Sequence, residues 1–395
     1  MELDKIKEGV AEYGSPVYFF DLDILRERVG LIRKKLGSAS ELCYAMKANP
    51  FLVRELDAYV DRFEVCSPGE YEICREAGIS PDKIVVSGVN KTYQSMERIM
   101  ESGDGKGIFT IESPKHYEIL SELCRRKQKR IKVLIRLSSG NQFGVDKETL
   151  EDILHRIMND EWLEFKGIHY YSGTQKKPKK AEKELKELGE YFKYLSETYG
   201  VSIEELEYGP GLSVSYFEGD MQTDAETELG NLCLMLKGTA GCDKINVELG
   251  RFIAADCGYY VTSVVDTKVT EGNNYCIVDG GIHQLNYYGQ LMGMKKPHMR
   301  LVRKADEEAG ETSWCVFGSL CTVNDVILKD VRLPGLAQGD YFIFENCGAY
   351  SVTEGMSLFL SRDLPQIVFY SKEKGFRLVR GITPTYVINS YEEDK

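Results

Sequence analysis

Eight short apolar or β-branched runs recur in the first 250 residues, each ending close to a polar or charged group. They are ELCYAMK (41–47), RFEVCS (62–67), KIVVSG (83–88), GIFTIES (107–113), IKVLIRLS (131–138), FKGIHYYSG (165–173), ELEYGPG (205–211) and INVELGR (245–251). Runs of this length and composition predict strands. Segments with helical spacing lie between them, among them GEYEICREAG (69–78) and SPKHYEILSELCRRKQ (113–128). The second opens on Ser-Pro, suited to a capping residue followed by a first-turn proline. Strands alternating with helices give parallel βαβ units. Eight such units over about 210 residues predict a closed (β/α)8 barrel rather than an open sheet.

The pattern changes after Ala255. GYYVTSVVDTKV, NYCIVDGG, SWCVFGS, DYFIFENCG, PQIVFYS and FRLVRG read as strands joined by turns, with few helical segments between them. The early stretch SPVYFF (15–20) also reads as a strand and precedes the barrel. The expected organisation is therefore an α/β barrel over residues 24–255 and a mostly β domain built from 1–23 plus 256–395. The charged run KKPKKAEKELKELGE (176–190) is expected to be the solvated face of a barrel helix, with Lys176, Lys177, Lys179 and Lys180 forming a patch close to the barrel mouth.

Composition narrows the partners. A chain of 395 residues, 43% hydrophobic and 28% charged, can bury two sizeable cores. Its net charge of −12 argues against nucleic acid or an anionic membrane as partner, because both are bound through cationic surfaces. No run approaches the ~20 apolar residues of a membrane span. The start, MELDKIKEGV, lacks the apolar core of an export signal. Eleven cysteines without a C-x-x-C pair are too dilute for a disulfide scaffold, so free thiols in a reducing cytoplasm are expected. No metal site is expected.

The informative feature is where polar residues fall. Active sites in (β/α)8 barrels form at the carboxyl ends of the strands. Those ends carry Lys47, Glu64 with Cys66, Ser87, Glu112, Arg136, His169 with Tyr171 and Thr174, Gly209 with Gly211, and Glu248 with Arg251. So many charges at one end are costly unless they meet each other or a ligand. The glycines of YGPGLS permit close backbone approach to an anion, and Arg251 adds a positive charge after the next strand, where barrels of this kind often hold phosphate. An amine after strand one, a phosphate anchor after strands seven and eight, and a carboxylate on strand eight suggest pyridoxal 5′-phosphate. The plain alternative for Lys47 is a lysine snorkelling to solvent from a strand end.

These motifs resemble those of the fold-type III pyridoxal-phosphate-dependent decarboxylases, the group that contains diaminopimelate, ornithine and arginine decarboxylases. YAMKANP resembles the family's cofactor-lysine motif, which makes Lys47 the attachment point. FEVCSPGE, with Glu64, resembles the strand and helix start that follow. YGPGLS resembles the glycine-rich phosphate loop, and ELGR the family's Glu-Pro-Gly-Arg with Leu249 in place of proline. The match implies that Glu248 faces the pyridine nitrogen and Arg251 the phosphate, with Arg136 and Thr174 among the cofactor residues. A ring from GIHYYSGTQ is implied to stack on the cofactor; register favours Tyr171, with His169 two residues earlier as the alternative. GSLCTVND resembles the motif whose cysteine, here Cys321, crosses a homodimer interface to serve the partner's site, and ENCGAY the motif whose tyrosine, here Tyr350, contacts the phosphate.

The implied reaction is loss of CO2 from an α-amino acid, with Lys47, Glu248 and Cys321 as catalytic groups. Thr322 stands where diamine-forming relatives carry an acid after the cysteine, and VDGGIHQLNYYGQLMG lacks an Arg-Pro pair found in diaminopimelate decarboxylases. QFGVD, HYYSGTQ, DGGIHQ and GSLCTVND are closer to a pathway-specific subgroup that includes decarboxylases of butirosin-type antibiotic assembly and those near exopolysaccharide genes. The resemblance therefore implies a free or acyl-carrier-protein-bound aminoacyl substrate, with Thr322, Asp325 and His283 as substrate residues. A decarboxylase of free lysine, ornithine or diaminopimelate, a racemase of the same fold, and a non-catalytic decarboxylase-like binding protein remain the alternatives. Racemases of this fold place an arginine at the pyridine nitrogen, where this chain has Glu248.

Overall fold

The chain enters its first sheet through β1 (Val17–Asp21), whose five residues are all buried. The barrel follows. Strands β2 (Leu42–Ala45), β3 (Arg62–Val65), β4 (Ile84–Val86), β5 (Ile108–Ile111), β6 (Ile131–Arg136), β7 (Leu163–Tyr171), β8 (Glu205–Gly209) and β9 (Lys244–Leu249) close on themselves in chain order. Each pairs in parallel with the next, and β9 pairs with β2. The eight runs identified in the sequence are these eight strands. The computed structural model describes residues 1–38, 40–220, 224–304 and 310–391, in two units. Val29–Ser213 with Thr223–Phe252 form the barrel unit; Met1–Arg28, Val214–Gln222 and Ile253–Lys395 form the other.

Local chemistry explains where the barrel helices start. Ser67 accepts the amide of Glu70 ahead of helix Pro68–Glu76, and Ser113 that of His116 ahead of helix Pro114–Lys127. In both, proline fills the first helical position, where no amide hydrogen is needed. Strand β7 contains a bulge: Val133 pairs with Phe165 but Leu134 with Gly167, so Lys166 is skipped. A bulge resets which side chains point inward. Beyond it His169 pairs with Arg136 and Glu207, and Tyr171 with Gly209.

The second unit holds the remaining strands: β10 (Gly258–Thr270), β11 (Asn273–Val278), β12 (Met299–Val302), β13 (Thr312–Phe317), β14 (Val326–Leu333), β15 (Tyr341–Phe344), β16 (Gln366–Ser371) and β17 (Gly375–Arg380). Among the described residues they form, with β1, a nine-stranded sheet. Its main path runs β14-β13-β11-β10-β1-β16-β17, with β15 joining β10 to β12. Val17, Phe19, Val261, Ile343 and Val368 form part of its core, with Ile6 of helix Leu3–Tyr13. SPVYFF supplies β1, which pairs with β10 and β16 of this sheet. Strands β12 and β14 are absent from the sequence reading. MRLV offers four half-buried residues, and VILKDVRL breaks its alternation at a bulge opposite β13.

The amino-terminal end of the barrel interior is polar. Arg62 meets Glu205 and Glu41 at 2.7 Å and Glu207 at 3.3 Å, and Asn246 donates to Glu205 at 2.9 Å. Glu207 is fully buried. Burial raises its carboxyl to about 8, with Arg62 only partly opposing the rise and Glu248 and Glu205 adding to it. The unfolded chain loses this proton first, so ionisation favours unfolding between the ordinary value of 4.5 and about 8. The stability of the protein relative to its Glu207→Gln variant is expected to fall as pH rises through that window and to level above it. Urea unfolding of both at pH 5, 6.5 and 8.5 checks this. A difference that does not change with pH would show that Glu207 is already ionised in the folded barrel.

Candidate active site

Strand β2 ends at Ala45, and Lys47 lies in a single 3-10 turn, Met46–Ala48. Asn49 then accepts the amide of Phe51, with Pro50 opening the next turn. The turn frees Lys47 from the alternation of the strand while Met46 and Ala48 on either side are buried. Its amine points to carboxylates: Nζ donates to Glu64 Oε2 at 2.7 Å and lies 3.9 Å from Glu248 Oε1. Both acids are buried, Glu64 at 1% exposure and Glu248 at 7%. A carboxylate withdrawn from water is costly without a cation or donors. Lys47 is therefore aimed inward and does not snorkel.

The surrounding groups fix these acids. Cys66 Sγ donates to the other Glu64 oxygen at 2.9 Å and lies 3.5 Å from Lys47 Nζ. Burial and the neighbouring Glu64 carboxylate push the Cys66 thiol well up, so it stays protonated. His169 Nε2 lies 3.1 Å from Glu248 Oε2. Burial alone would raise the Glu248 carboxyl, but Lys47, His169 and Arg136 outweigh it and hold the group well below the usual carboxylate range. Arg136 in turn binds Glu112 at 3.0 Å, and Lys91 lies 3.9 Å from the same acid. Burial lowers the Lys91 amine to about 8.

A second cluster forms at the ends of β7, β8 and β9. Arg251 Nε donates to Thr174 Oγ1 at 3.2 Å. Gly211 has a φ of +63°, in the left-handed region, and a Cβ there would sit 2.2 Å from the Gly173 carbonyl oxygen. A Cβ at Gly209 would sit 2.5 Å from the Tyr171 ring. Burial raises the Tyr171 hydroxyl, while Lys47, Glu248 and Arg251 are all near enough to act on it electrostatically. The barrel thus brings together Lys47, Glu64, Arg136, His169, Tyr171, Thr174, Gly209, Gly211, Glu248 and Arg251 at the carboxyl ends of its strands.

The other sequence candidates lie in the β unit. Cys321 is exposed and Thr322 half-buried. Tyr350 holds a φ of +66°, a strained conformation for a bulky residue, directly after the close-packed Gly348-Ala349 stretch. Asp325 is buried, and its two oxygens accept the amides of Ile282 and Leu320 at 2.8 and 2.7 Å. These two bonds join the GGIHQ and GSLCTVND loops. His283 is buried, and neither ring nitrogen has a partner among the described residues. Burial and the nearby Arg362 lower its imidazole to about 4.

Two groups depart from the sequence reading or escape it. Lys176 is not part of a solvated patch: it is buried, with Nζ 2.8 Å from Glu184 Oε2. Lys177, Lys179 and Lys180 are exposed. Lys91 follows β4 in a loop, GVNKT, that carries no strand-end pattern in the sequence.

The glycine cradle beside Arg251, an amine set against two buried acids, and the buried atoms Ser87 Oγ and His169 Nδ1, without a partner among the described residues, suit a phosphorylated aldehyde with a basic ring. The family described as pyridoxal-dependent decarboxylase, pyridoxal binding domain, matches residues 22–255. The chain belongs to this family. It uses pyridoxal 5′-phosphate. Two relatives are similar along most of their length. L-glutamyl-[BtrI acyl-carrier protein] decarboxylase of Niallia circulans is 26% identical, covering 96% of this chain and 94% of that protein. The 2-[(L-alanin-3-ylcarbamoyl)methyl]-2-hydroxybutanedioate decarboxylase of Staphylococcus aureus is 25% identical, covering 90% and 94%. Diaminopimelate decarboxylase of Helicobacter pylori, solved with L-lysine, shares the fold with a TM-score of 0.84 at 22% identity, over 97% of this chain and 98% of that one. Among the described residues, no helix is long and apolar enough to cross a membrane.

Proposed function

We propose that this protein is an amino acid decarboxylase, releasing the α-carboxylate of an amino acid or aminoacyl group as CO2. The observation that carries the reading is the Lys47 amine set between the buried acids Glu64 and Glu248. Bound pyridoxal phosphate supplies an aldehyde that takes up amines and a ring that accepts the electrons of a breaking bond.

Lys47 is assigned to attachment and, after reaction, to release of the amine product. An amine must shed its proton to attack, and Glu64 Oε2, at 2.7 Å, is placed to hold that proton. Glu248 is assigned to the ring nitrogen. Its support is that Lys47, His169 and Arg136 keep it ionised despite burial, so it is ready to accept from a protonated ring. Arg251, Thr174, Gly209, Gly211 and Tyr350 are assigned to the phosphate. Tyr171 is assigned to the ring face, because His169 already directs its Nε2 edge at Glu248. Cys321 of a second copy is assigned to protonating the carbon that has lost CO2. That assignment makes the active unit a homodimer with shared sites. The eleven free cysteines accord with a reducing, cytoplasmic setting.

For the substrate, Thr322 supports a distal end that is not a free ammonium, since an ammonium there would lack a carboxylate. His283, neutral and without a partner among the described residues, offers one donor and one acceptor for a polar group. The Niallia circulans relative acts on a glutamyl group held by a carrier protein. Exposed Lys177, Lys179 and Lys180, at the start of helix Pro178–Tyr199, give an acidic carrier a local attraction against the net charge of −12.

The decisive assay uses 1-13C-labelled substrates in D2O: free lysine, ornithine, diaminopimelate and glutamate, and aminoacyl groups on a carrier protein. We expect 13CO2 and an amine carrying one new deuterium, with kcat/KM at least about tenfold higher for a substrate without a free distal ammonium. Deuterated α-epimer without CO2 would replace the decarboxylase with a racemase, and efficient turnover of free lysine or ornithine would overturn the reading of Thr322. Shared sites are tested separately. Mixing inactive Lys47→Ala and Cys321→Ala chains is expected to restore part of the activity, because one site of each hybrid dimer keeps both groups. Proven subunit exchange without recovery contradicts shared sites.

A further inference from the structure

Lys176 is an unusual residue to find buried. Its ammonium donates to Glu184 Oε2 at 2.8 Å, to the Gly209 carbonyl at 2.9 Å and to Ser172 Oγ at 3.2 Å. Its own amide donates to the Gly211 carbonyl at 2.8 Å. Glu184 also accepts from Tyr208 Oη at 3.1 Å and from Ser172 Oγ. One lysine therefore ties together the loop after β7, the first turns of helix Pro178–Tyr199 and the glycine loop after β8. Burial lowers its amine, and Glu184 opposes that shift.

The contacts fall on both sides of the glycine loop. A Cβ on Gly211 would lie 3.0 Å from Lys176 Cε and 2.2 Å from the Gly173 carbonyl oxygen, so loop and lysine are in van der Waals contact. Thr174, next to Gly173, is the partner of Arg251. A buried ion pair gives little net stability over an apolar pair of similar volume, so stability alone does not account for it. What the ammonium fixes is the Gly209 carbonyl, while the backbone amide of the same residue holds the Gly211 carbonyl, so the side chain sets the first peptide plane of the loop.

We infer that Lys176, seated by Glu184, is a positioning residue that holds the Gly209–Gly211 loop in shape to receive the cofactor's phosphate. The inference rests on the function proposed above. It separates Lys176 from groups that touch the cofactor: its loss weakens recognition of the phosphate and leaves recognition of the ring and aldehyde intact.

The test is equilibrium binding of pyridoxal 5′-phosphate and of pyridoxal, which lacks the phosphate, to the cofactor-stripped protein. Lys176→Met is expected to weaken pyridoxal phosphate binding at least about tenfold, to leave pyridoxal binding unchanged, and to be partly rescued by Lys176→Arg. Equal weakening of both probes, or of neither, overturns the inference while leaving the proposed function standing. Failure of the unaltered protein to bind pyridoxal phosphate overturns both. Lys176→Met leaves the buried Glu184 with Lys180, 3.9 Å away, as its remaining cation; if that chain does not fold, Lys176→Met/Glu184→Leu removes the charge as well, and the same comparison of probes decides.

Discussion

Two carboxylates buried at one end of a barrel require a cation, and the position of that cation organises the site. Glu64 on β3 and Glu248 on β9 flank β2, and Lys47 emerges from the turn that ends β2. Ala45 pairs with Glu64 and Cys43 with Glu248, so barrel closure itself brings the two acids to either side of the lysine. Without it Glu64 would keep the Cys66 thiol as donor, and Glu248 would rely on His169 and Arg136. The arrangement also stores chemistry: an amine able to pass its proton to one acid, beside a second acid kept ionised. His169 and Arg136 reinforce the second acid, and Glu112 anchors Arg136 in turn.

The anion side of the site is built differently. It relies on backbone freed from side chains, at Gly209 and Gly211, with Arg251 entering as the first residue of the short helix after β9. The two sides thus divide the work we assign to them, covalent and electronic chemistry around Lys47 and anchoring around the glycine loop. The bulge at Lys166 links them, because it sets the register by which His169 reaches Glu248 and Tyr171 reaches Gly209.

Much of this was legible in the chain because a barrel strand is short and its carboxyl end is predictable: reading the last residues of eight apolar runs reached Lys47, Glu64, Arg136, His169, Glu248 and Arg251. What escaped notice did so for physical reasons. Lys176 and Glu184 are eight residues apart in a charged run that follows the composition of a solvated helix, and only the fold shows that both turn inward. Glu207 lay in plain sight in ELEYG, where alternation points Glu205, Glu207 and Gly209 to the same face. An acid in that row signals a buried partner, here Arg62. Strands β12 and β14 were missed because a half-buried edge and a bulged strand carry no clean alternation.

The most direct test of the account is reduction of the cofactor-loaded protein with borohydride, followed by peptide mapping. The account predicts a single stable pyridoxyl label on Lys47, in the peptide containing YAMKANP, and its disappearance in Lys47→Ala. A label on another lysine, or no fixed label on a protein that has taken up the cofactor, would contradict it.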